Sequence, residues 1–166
     1  METLILKGKP VSSKIKEDLS VRISVLKSKD IIPSLAAIIV GNNPASKLYV
    51  SSKAKTFEKL GCHSEVFELE SNVDKNTLIN FIQSLNKNKK FHGILLQLPL
   101  PKHLDEKEIL QIIIPEKDVD GFHPVNQGYI MQGNPKFIPC TPLGCLKILD
   151  YYNINVEGKD VVVIGR

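Results

Sequence analysis

In the stretch LYVSSKAK (48–55) a lysine stands where the helical spacing asks for an apolar residue. On a helical wheel Ala45, Tyr49, Val50, Ala54, Phe57 and Leu60 share one half, while Lys47, Ser51, Lys55, Glu58 and Lys59 share the other. Lys53 falls at about 80° from Ala45, between Leu60 and Phe57. Two readings stand. Its aliphatic stem crosses apolar surface and sends the ammonium to water, or the amine enters a cleft dry enough to make it useful for proton transfer. Tyr49, one turn earlier on the same side, either packs into the core with its hydroxyl satisfied or stacks a flat ligand over that amine.

Two further stretches place polar groups where strands should end. In GILLQLPLP (93–101) Gln97 interrupts an apolar run, and Leu98 and Pro99 follow it. A buried amide needs partners, so Gln97 either bonds a neighbouring loop or orients Lys53 without adding charge. In PEKDVDGFHPVN (115–126) Asp118 and Asp120 flank a valine before Gly121. Asp-Gly marks a turn, but a fixed carboxylate also accepts two parallel N–H bonds from an amidine-like heterocycle edge. His123 is a loop histidine with no evident partner, and PCTP (139–142) reads as a stiff connector in which Cys140 lacks a base to activate it.

These residues need elements to hold them. SLAAIIVG from Ser34 is a continuous apolar run, expected as a strand buried on both faces. Asn43 as cap, Pro44 at the first helical position and Gly61 as stop predict a helix over 44–60. HSEVFELE (63–70) alternates as a half-exposed strand, and Leu78, Phe81, Ile82 and Leu85 predict a helix opened by Asp74. GILLQLP (93–99) is a second buried strand, and DEKEILQIII (105–114) a helix that Pro115 ends. A helix over 141–152 should open at Thr141 and Pro142, and KDVVVIGR should form a last strand. Ile15, Leu19, Ile23 and Leu26 give an amphipathic helix over 10–29. Strands separated by helices imply parallel pairing with right-handed crossovers, hence an α/β sheet between helical layers. In such sheets ligands sit beyond the carboxyl ends of the strands.

The bulk numbers bound the remaining classes. The chain of 166 residues is 42% hydrophobic and 24% charged, with no tryptophan and no apolar run long enough to span a bilayer. Its amino terminus carries acids and only a short apolar stretch, unlike a secretory or transit signal, so a cytoplasmic location is expected. Three cysteines and four dispersed histidines (63, 92, 103 and 123) give neither a disulfide framework nor zinc-ligand spacing. The net charge of +4 is mild and the lysines are scattered apart from KNKK (87–90), so nucleic acid is not the expected partner.

Taken in order, VGNNPASKLYVSSKAK, GILLQLPLP, PEKDVDGFHPVNQG, FIPCTPLGCLKIL and VVVIGR resemble the bifunctional methylenetetrahydrofolate dehydrogenase/methenyltetrahydrofolate cyclohydrolase family over nearly the whole chain. That resemblance implies a three-layer α/β/α catalytic domain over 1–139, then the connecting helix and first strand of a Rossmann-like NADP-binding domain over 140–166. By position it makes Lys53 the catalytic lysine, Gln97 its assistant, Tyr49 the pterin-stacking tyrosine and Asp120 the holder of the pterin edge. Ser46, Leu98 and Pro99 would line the folate site, and Gly165 and Arg166 would begin the cofactor site. The implied chemistry is hydride transfer from methylenetetrahydrofolate to NADP, then hydrolysis of the methenyl ring to 10-formyltetrahydrofolate.

Because the sequence stops at Gly165-Arg166, dehydrogenase activity is not expected of this chain alone. The homodimer that the resemblance implies for the full-length protein is not expected of it either. Two rival readings remain, a non-catalytic folate-binding or assembly fragment and a shikimate-dehydrogenase-like oxidoreductase. The QLPLP and DVDGF segments argue against the latter.

Overall fold

A computed structural model describes residues 4–164. Its centre is a three-stranded parallel sheet of β1 (Ser34–Val40), β2 (His63–Leu69) and β3 (Gly93–Leu96), in the order β2-β1-β3. Ile38 pairs with Phe67 on one side and Leu96 on the other, so every residue of β1 is buried. The continuous apolar run had to be central, because only a strand covered on both faces and both edges can use it.

Alternation along β1 then feeds two cores. Ala36, Ile38 and Val40 pack with Leu78, Ile82 and Leu85 of α3 (Lys75–Lys87) and with Ile109 of α4 (Glu106–Leu110). Leu35, Ala37 and Ile39 face the other way, onto Val50 and Phe57 of α2 (Pro44–Lys59). The result is the expected α/β/α layering. The chain leaves β1 for β2 through α2 on one face and returns to β3 through α3 on the other. The carboxyl ends of β1 and β3 therefore diverge into opposite crossovers, a point where open α/β sheets leave a crevice.

Local chemistry sets α2 as expected. The Asn43 side chain accepts from Ser46 N at 3.1 Å, and Pro44 follows at the first helical position. Asp74 caps α3 in the same way, accepting from Thr77 N at 3.0 Å.

Several expectations need correction. The helix expected over 105–114 ends at Leu110, because Asn86 captures the backbone beyond it. Its Nδ2 donates to Ile112 O at 2.7 Å, and its Oδ1 accepts from Ile114 N at 3.2 Å. The strand expected over 93–99 pairs only through Leu96. Gln97 N still donates to Ile38 O at 2.9 Å before a cis Leu98–Pro99 bond. The last helix, α6 (Cys140–Tyr151), starts one residue before Thr141, after an extended Pro139 and without a side-chain cap. Pro124–Met131, given no element from the sequence, is a helix, α5, with Pro124 opening it and His123 Nδ1 accepting from Val125 N at 3.1 Å.

The first helix, α1 (Gly8–Lys27), packs against α6, burying Val11 and Ile23 but leaving Ile15 and Leu26 exposed. The segment expected as a final strand makes no ladder. Val161–Ile164 are 62–96% exposed, with no strand beside them among the described residues. Gly165 and Arg166 lie outside the described residues.

Candidate functional site

Lys53 leaves the middle of α2 at the rim of the sheet. Its Nζ lies 3.5 Å from Gln97 Oε1, a long contact at the carboxyl end of β3. The Gln97 amide is oriented by its own Nε2, which donates to Leu98 O at 2.8 Å and so turns Oε1 toward the amine. Lys53 is half-buried, and its head stands beside a glutamine on the wall of a hollow.

That hollow measures ≈ 480 Å³. Its floor and sides come from Leu96, Gln97 and Leu98 at the end of β3, from Tyr49 and Lys53 of α2, and from Asp120 and Phe122 of the following segment. Pro139 to Pro142, at the start of α6, close it. Tyr49 is 67% exposed, so it is a rim residue presenting its ring and not a core tyrosine. Two residues expected in the wall are elsewhere. Ser46 is buried on the inner face of α2, and Pro99 is not among the residues that line the hollow.

Asp120 arrives by a separate route. Ile94 N of β3 donates to Lys117 O at 2.8 Å, and Asp118 bridges Ile94 in parallel, so this segment runs as a short extension of the sheet. Val119 tucks into the core on the α2 side of the sheet, against Gly93, where a Cβ would collide with its side chain. Asp120 then points into the pocket. Gly121 turns the chain with φ +68°, and a Cβ there would stand 3.2 Å from Pro139. This glycine thus serves both a left-handed turn and the close approach of the wall that α6 provides.

The electrostatics follow from this enclosure. Burial pushes the Asp120 carboxyl above the ordinary carboxylate range. Lys53 pulls it back, and the nearby Asp118 adds to the rise. Burial likewise pushes the Cys140 thiol up, with the Asp120 charge in the same direction and Lys53 opposing. Cys140 therefore lines the pocket as a neutral thiol and is a poor nucleophile. His123 is used as the cap of α5 and does not reach the pocket wall.

An amine, a neutral amide and a partly buried carboxylate around an apolar hollow suit a flat, nitrogen-rich ligand. The carboxylate accepts N–H bonds from its edge, an aromatic rim covers its face, and the amine stands by for proton transfer. Among the described residues no helix is long and apolar enough to cross a membrane, and no cluster of His, Cys, Asp and Glu could hold a metal ion. The wall formed by Pro139, Cys140, Thr141 and Pro142 was not assigned from sequence. The only signal was a proline-flanked helix start, and its partner across the pocket lies some twenty residues upstream.

Residues 6–120 match the family model described as tetrahydrofolate dehydrogenase/cyclohydrolase, catalytic domain. The bifunctional protein FolD of Acetivibrio thermocellus is 50% identical over 166 residues, 100% of this chain and 58% of the relative. That of Campylobacter jejuni subsp. jejuni serotype O:2 is 52% identical over 162 residues, 97% of this chain and 57% of the relative. Among solved structures, a bifunctional FolD methylenetetrahydrofolate dehydrogenase/cyclohydrolase from C. jejuni superposes with a TM-score of 0.95 at 51% identity, covering 98% of this chain and 58% of that one. The Trypanosoma brucei methylenetetrahydrofolate dehydrogenase-cyclohydrolase, solved with NADP cofactor and inhibitor, gives 0.88 at 32% identity, covering 94% and 54%. The chain thus spans a little over half the length of these relatives.

Proposed function

Since the chain belongs to the tetrahydrofolate dehydrogenase/cyclohydrolase family, matching its catalytic domain, we propose that the pocket between α2, β3 and α6 binds a reduced folate and carries out the hydrolytic step on it. The observation that carries this reading is the set of four side chains on one 480 Å³ hollow: Tyr49, Lys53, Gln97 and Asp120.

The pterin edge donates N–H bonds to the Asp120 carboxylate, a charge-assisted pairing that the partly buried site shields from water. Tyr49 covers the adjoining ring from the rim. Leu96, Leu98 and Phe122 supply apolar wall and exclude water from the ring faces. This places the one-carbon bridge, a methenyl carbon between two folate nitrogens, beside Lys53.

In the cyclohydrolase step a water oxygen adds to that cationic carbon, and a proton leaves the water for the lysine amine. The hydroxyl of this adduct then gives up its proton to solvent and closes to the formyl carbonyl as the bond from the carbon to the ring nitrogen N5 breaks, leaving its electron pair on N5, which is protonated from the lysine. The product is 10-formyltetrahydrofolate, with one proton released overall. Gln97 holds the amine by a neutral contact, so no fixed charge is added against the cationic carbon.

The hydride half of the family's chemistry, with NADP as acceptor, is proposed for the protein as a whole. The described residues do not fit a nucleotide: Val161–Ile164 form no strand, and no glycine-rich turn with a following helix stands among them. No step is assigned here through that cofactor. A shikimate-type reading loses its basis, since Tyr49, Lys53, Gln97 and Asp120 of the pocket all lie in the segment that matches the folate family.

The test is a calorimetric titration of the chain with 5-formyltetrahydrofolate and with shikimate, run beside a methenyltetrahydrofolate hydrolysis assay. Saturable binding of the folate alone, with hydrolysis, is the expected result. Folate binding without hydrolysis would make the chain a binding fragment, and binding of shikimate alone would overturn the reading.

A further inference from the structure

Asp120 has no hydrogen bond to its carboxylate among the described residues; only burial and neighbouring charges act on it. Its direction is therefore set by the backbone that carries it, residues 118–123. Beyond the bridge of Asp118 to Ile94 and the turn bond from Gly121 N to Asp118 O at 3.3 Å, one buried acid side chain ties that backbone to the helix that follows. Asp118, 3% exposed, accepts at Oδ2 from His123 N at 2.8 Å and from Asn126 Nδ2 at 2.9 Å. Asn126, fully buried on α5, also donates from Nδ2 to Pro115 O at 2.9 Å. One amide thus joins the start of the segment, its buried carboxylate and the helix that follows.

The arrangement carries a cost. Asn126 Oδ1 is buried without a partner. A leucine of similar volume would bring no orphan acceptor, but it would leave the Asp118 carboxylate short of a donor in a dry site. Reversing the amide would set Oδ1 against that carboxylate, so the network itself fixes which atom points where.

We infer that Asn126, acting through the Asp118 carboxylate, is a positioning residue: it holds the 118–123 segment so that Asp120 faces the pocket at the angle a folate ring edge requires. This rests on the folate reading above. Two separable contributions follow, a geometric one from the clamp and an electrostatic one from the Asp118 charge. The ionisable groups facing Asp120 are Lys53 from α2, Cys140 from α6 and Asp118 from its own segment. Removing the like-charged Asp118 favours ionised Asp120, whereas breaking the clamp leaves the charges in place.

Two variants of the 166-residue chain separate these contributions, read by calorimetry with 5-formyltetrahydrofolate over a pH series, with folding checked by circular dichroism. Asn126→Leu is expected to weaken binding about tenfold or more at every pH, because the ring-edge carboxylate is misaimed. Asp118→Asn keeps an acceptor oxygen for both donors but removes the like charge, so the acid limb of its binding profile should move to lower pH. If Asn126→Leu does not fold, Asn126→Ser is read in its place with the same expectation. Unchanged affinity in the folded Asn126 variant, or an unmoved acid limb in Asp118→Asn, overturns the inference. Failure of the parent chain to bind the folate at all would instead remove the reading beneath it, and the inference with it.

Discussion

Gln97 Oε1 stands 3.5 Å from Lys53 Nζ, while Gln97 Nε2 is committed to Leu98 O at 2.8 Å. The glutamine cannot turn its nitrogen toward the amine without giving up that second bond, so Lys53 always meets an uncharged acceptor. Gln97→Glu would replace it with a carboxylate that holds the ammonium as an ion pair and withholds it from proton transfer. Hydrolysis by this variant is expected to fall about 10²-fold or more, the scale of a lost general acid–base group, with folate affinity changed far less. Steady-state kinetics on methenyltetrahydrofolate check it.

Asp120 gives a prediction about stability and pH. Its folded pKa lies above its unfolded one, so its contribution to stability is fully present below the unfolded value and is lost as pH rises through the folded value. Asp120→Asn removes that loss. Without ligand, the variant is expected to melt higher than the parent at neutral pH and to show no advantage in acid, while binding reduced folate much more weakly. Melting curves at two pH values, with and without folate, separate the two effects.

Gly121 tests how the pocket wall is held. With φ +68° and Pro139 3.2 Å from where a Cβ would stand, Gly121→Ala is expected to cost about 1–2 kcal/mol from the left-handed backbone alone. Pro139 must also shift, so folate affinity should fall together with the urea midpoint. Gly133→Ala provides the comparison, because it shares a positive φ of 73° but has open space around it. It should lose stability without losing affinity.

The cap of α2 bears on Lys53 at a distance. Asn43→Ala removes the acceptor for Ser46 N and should cost about 1 kcal/mol, measured by denaturant unfolding, with only a small effect on turnover because Lys53 lies more than two turns downstream.

What the sequence made legible follows from where the information is local. Asn43, Pro44 and Gly61 bound α2 through their own backbone chemistry, and SLAAIIV could only be a central strand. Lys53 and Gln97 stood out because each breaks an apolar pattern, and the fold brings those two exceptions together. What stayed hidden depends on distant partners. Asn86 ends α4 from more than twenty residues away, and the approach of Pro139 to Gly121 turns an apparent connector into a pocket wall. The apolar run Val161–Ile164 looked like a strand, yet β-structure requires a neighbour to pair with, and none stands beside it among the described residues. Ser46 was read into the site by its place in a matching segment, but its helical phase turns it inward beside Val50.

The most direct test of the account is the rate of methenyltetrahydrofolate hydrolysis by Lys53→Met, which keeps an unbranched stem in the same groove and deletes the amine. The account predicts a folded protein that still binds reduced folate and whose turnover falls about 10²-fold or more. Turnover equal to that of the parent chain, in a variant shown to be folded and folate-bound, would contradict it.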